Sequence, residues 1–164
     1  MIVILFPLSY QEWSEEQSKV IRTVESLNIS ADELFVHKLV DGTLLHNRLW
    51  AHISNETEDD RMHFIYVSPY EPDSLPVYGH TINQTALGQV KVTSLLGAEF
   101  VYWNGRGFEA RDQTGSLPLG NMELARMLLD HYMVRGGITY EVIYSVFDMD
   151  RRKVLFYLKD EVEA

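Results

Sequence analysis

The chain has 164 residues, 46% of them hydrophobic, with 24 acidic against 14 basic side chains and a formal net charge of -10. It is long enough to bury a core without covalent staples, and the absence of cysteine excludes disulfides, thiolate metal sites and a cysteine nucleophile. A charge of this sign repels phosphate backbones and anionic membranes, so neither nucleic acid nor a membrane is expected as a partner.

The opening run MIVILFPL is apolar but has no basic flank and is cut by Pro7, Ser9 and Gln11. It is too short for a membrane span and wrongly flanked for a signal peptide, and predicts a buried first strand in a cytoplasmic protein. Ser9 and Glu12 form a capping-box pattern that predicts a helix over 10–27. Trp13, Val20, Ile21, Val24 and Leu27 would be its buried stripe, and Glu15, Glu16, Lys19, Arg22 and Glu25 its wet face. From Leu34 to Ile53 the pattern alternates about Asp41 and Gly42, which predicts two strands joined by a type I′ turn. Met62 to Val67 reads as a further strand, followed by an irregular segment over 68–88 punctuated by Pro69, Pro72, Pro76 and Gly79.

In the second half, Val90 to Leu95 reads as a strand. Glu99 to Trp103 pairs with Phe108 to Arg111 across the turn at Asn104, Gly105 and Gly107. Asn121 is the expected cap of a helix reaching Val134, with Leu124, Ala125, Leu128, Leu129 and Tyr132 as its stripe and Gly136 and Gly137 as its stop. Ile138 to Phe147 predicts a central strand, turned at Asp148 to Arg152 and returned as Val154 to Leu158. No internal repeat is visible. The expected fold is a single globular domain over 1–164, α+β, a mainly antiparallel sheet of about six to eight strands with two helices packed on one face.

No motif fixes a chemistry. The six histidines lack ligand spacing, and His46 and His52 stand too far apart along one strand to share an ion, so neither a metal nor another cofactor is expected. Asp148 and Asp150 in FDMDRR, and NGRG over 104–107, are turn chemistry between strands. His52 with Ser54 is one His-x-Ser element where a two-histidine phosphoesterase needs two. The stretch GGITYEVIYSVFDMDRRKVLFYL, Gly136 to Leu158, resembles the closing hairpin of N-terminal-nucleophile amide hydrolases of the choloylglycine type. Their nucleophile is a cysteine, which this chain lacks, and no activity is carried over.

Acidic residues gather at Glu12, Glu15 and Glu16, at Glu56, Glu58, Asp59 and Asp60, and at Asp160, Glu161 and Glu163. They are read either as solvated surface or as a face for a basic partner. Aromatic residues make up 12% of the chain, and aromatics beside charged rims serve as interface anchors. Two functions follow. One is a non-enzymatic protein-binding module, a stoichiometric inhibitor of the immunity-protein or phage counter-defence type, monomer or homodimer. It would occlude a basic surface of its target through Glu56, Glu58, Asp59, Asp60, Trp50 and Tyr70. The other is a small-molecule-binding protein or hydrolase-like enzyme, its pocket under the 68–88 segment and lined by Arg48, His52, Tyr78 and His80.

Overall fold

The computed structural model describes residues 4–89, 96–111 and 117–160. Its strands are β1 (Leu5–Ser14), β2 (Lys19–Ser30), β3 (Gly42–Leu45), β4 (Arg48–Glu58), β5 (Met62–Pro69), β6 (Gly97–Trp103), β7 (Phe108–Glu109), β8 (Leu117–Pro118), β9 (Tyr132–Arg135), β10 (Ile138–Asp148) and β11 (Lys153–Asp160). Three helices accompany them: α1 (Ala31–Leu39), α2 (Gly79–Leu87) and α3 (Asn121–Leu128). The fold is α+β. One sheet runs β2-β1-β5-β4-β3-β10-β11-β6-β7, with β8 on β6 and β9 on β10. It is mixed: β1 joins β5, β3 joins β10 and β11 joins β6 in parallel, and the other pairings are antiparallel.

Several expected elements are corrected. Residues 10–27 form no helix but most of the β1–β2 hairpin, with Leu8 opposite Leu27 and Trp13 opposite Val20. The run from Val20 to Val24 holds three β-branched residues beside Ile21, which favours extended backbone. The Ser14 hydroxyl accepts from Gln17 N–H, and Ser18 takes a positive φ of 52° to close the turn. The hairpin expected about Asp41–Gly42 gives way to α1, capped by Ser30 through the N–H of Glu33 at 3.3 Å. The turn itself lies at His46 and Asn47, both at positive φ. The 68–88 segment contains a 3₁₀ turn at Pro72–Ser74 and then α2. The expected 121–134 helix stops at Leu128, its cap is Gly120, and Gly136 and Gly137 turn β9 into β10. The strand expected over 90–95 lies outside the described residues, as do Glu161 and Glu163.

The expectation of no repeat also fails, because the sheet is built twice from one plan. Residues 5–69 and 97–160 each run hairpin, helix, then three antiparallel strands, and the registers of those three strands match pair for pair, whereas at the turn end of the hairpin Trp13 faces Val20 but Trp103 faces Phe108. Leu45 faces Arg48 as Arg135 faces Ile138, and Thr57 faces His63 as Phe147 faces Val154. A bulge falls between His52 and Ser54 in β4, and between Val142 and Tyr144 in β10. Ala31 and Asn121, Arg48 and Ile138, and Glu58 and Asp148 each stand 90 positions apart. Beyond Asp148 the separation is 91, since Glu58 faces Met62 where Asp148 faces Lys153. Trp13 and Trp103, Leu34 and Leu124, and Tyr66 and Tyr157 are identical counterparts.

The repeats join where Gly42, Thr43 and Leu44 pair with Val146, Phe147 and Asp148. The Asp150 carboxylate in the second repeat accepts from the backbone N–H of His46 at 3.0 Å and of Asn47 at 2.7 Å, holding the first repeat's left-handed turn. Asp150→Ala should therefore lower stability by about 1–2 kcal/mol, the worth of two charge-assisted bonds at an exposed turn, read as a shift of the urea midpoint. Helices α1 and α3 pack on one face of the sheet and against each other. Helix α2, in the connection between repeats, covers the opposite face through Ile82 and Ala86, which pack with Val101, Val146, Leu155 and Tyr157. Among the described residues no helix is long and apolar enough to cross a membrane.

Candidate functional site

The repeats differ most where their side chains, not their backbones, are compared. In the first repeat a chain of hydrogen bonds runs between the sheet and α1. His52 Nε2 lies 2.6 Å from the Thr43 hydroxyl, which is 3.5 Å from that of Tyr10. Tyr10 in turn lies 2.6 Å from His37 Nδ1, whose other nitrogen is 3.3 Å from Glu33. Arg152 donates to the second Glu33 oxygen at 3.0 Å. One direction of donation satisfies every link: His52 to Thr43, Thr43 to Tyr10, Tyr10 to His37, and His37 to Glu33. It leaves His52 Nδ1 as a buried lone pair without a partner.

Burial sets the charge states along this chain. Desolvation lowers the His52 pKa to about 3 and also lowers that of His37, so both rings are neutral near pH 7. The hydrogen bond from His37, aided by Arg152, holds Glu33 down at about 2 despite its partial burial. In the second repeat the counterparts of Tyr10, His37, Thr43 and His52 are Phe100, Met127, Met133 and Val142, all of them in or against an apolar cluster. The same scaffold thus stands without this chain. It links α1 to β1, β3 and β4.

The opposite face carries a second contrast. Ser9 pairs with Phe64 and Gln11 with Tyr66, so these side chains share the side of the sheet away from α1. Phe64 stacks on Tyr66, Trp13 meets Tyr66 edge-on at 6.0 Å, and the Tyr66 hydroxyl donates to Glu56 at 3.0 Å. A shallow groove of about 310 Å³ crosses the face over Pro7, Ser9, Ser26, Asn28, Met62 and Phe64. In the second repeat the matching positions are Val101 for Gln11, Val146 for Glu56, Leu155 for Phe64 and Tyr157 for Tyr66. Each is at most 2% exposed beneath α2, to which Tyr157 donates a hydrogen bond at the carbonyl of Ile82. Among the described residues α2 roofs the outer face of the second repeat and no helix covers that of the first, where Trp13, Phe64 and Tyr66 are half-buried.

The residues singled out from sequence are dispersed. Glu56, Glu58, Asp59 and Asp60 are exposed at the β4–β5 turn, beside the bare face. Trp50 and Tyr70 are buried, 3% and 9% exposed, and offer little area to a partner. Arg48 lies over the Trp50 ring, and His52 belongs to the chain beneath α1. Tyr78 packs on Trp103 and Phe108, while His80 is exposed beside Asp73. These four therefore occupy separate places. Among the described residues no three His, Cys, Asp or Glu side chains stand close enough to hold a metal ion. Trp13, Phe64 and Tyr66 are not legible in the sequence as a set, because Trp13 shares a helical spacing with Val20 and Val24, and the buried chain is not legible because its members are scattered from Tyr10 to Arg152.

No family model matches the chain, and neither does any curated protein or solved structure. The internal repeat is therefore the comparison that separates scaffold from site.

Proposed function

We propose that the chain is a stoichiometric protein-binding module that occludes a basic surface of its target, in the manner of an inhibitor or immunity protein. The observation that carries this reading is the bare outer face of the first repeat. A fold that covers this face in one repeat with α2 leaves it open in the other, with aromatic rings where an interface needs apolar area. The acidic turn at its edge supplies charge complementarity, which raises association rate and selects a partner of opposite sign. On this reading the partner lies over Phe64, Tyr66 and Trp13 as α2 lies over their counterparts, and the carboxylates of Glu56, Glu58, Asp59 and Asp60 meet its basic rim.

Affinity capture from native lysate, followed by calorimetry on the purified partner, tests the reading. A one-to-one complex is expected, weakened by salt. Replacing Glu56, Glu58, Asp59 and Asp60 with Lys should reduce its affinity by about tenfold or more. An affinity unchanged by that reversal, or by Tyr66→Ala on the face itself, would remove this surface from the interface.

A further inference from the structure

On the α1 side, near the outer end of the first repeat, three more positions that are apolar in the second repeat are polar in the first. Lys38 Nζ donates to His63 Nδ1 at 2.8 Å and to the Thr57 hydroxyl at 3.1 Å. Their counterparts are Leu128, Val154 and Phe147, the last two fully buried and the first packed against the same apolar cluster. Beside these residues the first repeat has a pocket of about 280 Å³ lined by Phe6, Leu34, Phe35, Lys38, Asp60 and His63. Phe35, 53% exposed, forms part of its wall, where Ala125 is the counterpart.

We infer that this pocket binds a small monocarboxylate with an apolar body, its carboxylate on Lys38 and its body against Phe6, Leu34 and Phe35. Lys38 is half-buried beside the apolar wall of Phe6 and Leu34, where its charge is less well solvated than in open water and attracts an anion more strongly. Among the described residues no carboxylate pairs with Lys38; its two partners are a neutral imidazole and a hydroxyl. Burial already lowers its pKa, and a bound anion would reverse that by restoring a counter-charge. The volume lies at the small end for ligand pockets, which suits a short chain or a single ring. Asp60 on the rim disfavours a second negative charge on the ligand, so a monoanion is favoured over a phosphate ester.

Sodium octanoate is the probe, titrated into the full chain and followed by amide chemical shifts. Saturable binding is expected, with the largest shifts at residues around Phe6, Leu34 and Lys38. Lys38→Met, which places an apolar chain where the second repeat has Leu128, should keep the fold and weaken octanoate about threefold to fivefold, the value of one partly exposed ion pair. Octanol should bind wild type and Lys38→Met alike. Asp60→Lys should strengthen octanoate while it weakens the protein complex proposed above, so the two readings move in opposite directions. Non-saturable shifts, shifts centred on Phe64 and Tyr66, or equal octanoate affinity in Lys38→Met would each overturn the assignment.

Discussion

Between pH 7 and pH 4.5 the protein should lose about 2.5 kcal/mol of stability through His52 alone. The imidazole has a folded-state pKa of about 3 because it is desolvated, whereas in the unfolded chain it takes a proton near pH 6.5. The folded-state value is the depressed one, so as pH falls below about 6.5 the unfolded state binds the proton first and gains about 1.4 kcal/mol per pH unit, until pH reaches the folded value. His37, lowered by the same burial, acts in the same direction. Glu33 adds a second loss below about pH 4.5, where its unfolded form protonates while the folded carboxylate, at about 2, does not. His52→Val copies Val142, the residue the second repeat uses beside the same bulge. It should leave stability at pH 7 within about 1 kcal/mol of wild type, an apolar gain offsetting one lost hydrogen bond. Urea unfolding of both proteins at the two pH values is the measurement. The variant's stability relative to wild type should rise by about 2.5 kcal/mol between the two pH values, and a constant difference would mean that His52 is protonated in the fold or exposed to water.

Glu99→Leu should cost about 3–5 kcal/mol, because it strands a buried ammonium. Lys153 is 1% exposed, and its Nζ donates to Glu99 and to the side-chain carbonyl of Gln89, each at 2.7 Å. Removing the carboxylate leaves one neutral amide to hold the charge. Lys153→Met should be milder, since Glu99 keeps some contact with water at 15% side-chain exposure. The double variant should recover to within about 2 kcal/mol of wild type, since replacing both partners removes the desolvation cost along with the attraction. A double-mutant cycle by chemical denaturation reads the coupling; additive losses would show that the two side chains do not depend on each other.

The sequence made the second half's strands legible and misread much of the first. Glu99–Trp103, Phe108, Ile138–Phe147 and Val154–Leu158 are extended where alternation placed them, because glycine or aspartate turns bound each run. Residues 10–27 misled because Trp13, Val20, Val24 and Leu27 satisfy a helical spacing by coincidence, while the β-branched run and the turn at Glu15–Ser18 carried the truer signal. For α1 the signal is present in the sequence: Ser30 with Glu33 has the same capping-box spacing as Ser9 and Glu12, and only the later pair starts a helix. The repeat was hidden for another reason. Counterparts such as Trp50 and Tyr140, or Ile65 and Phe156, share burial and register but not identity, so backbone pairing preserves what residue matching cannot see. The same divergence hides the pocket beside Lys38, a residue that stands out only when set against Leu128.

The joint between repeats bears on how the molecule unfolds. Val36 and Val40, from the helix and the following turn of the first repeat, are buried in one cluster with Phe100, Leu124, Phe147 and Phe156 of the second. Leu44 and Leu49 of the first lie under α2 with Val146 and Leu155. Two halves that divide their hydrophobic interior in this way have no separate equilibrium to report, so thermal melting should be a single all-or-none event with matching calorimetric and van't Hoff enthalpies. A destabilising change in either repeat should then lower the one transition they share, so the unpartnered lone pair on His52 Nδ1 should weaken the second repeat as much as the first.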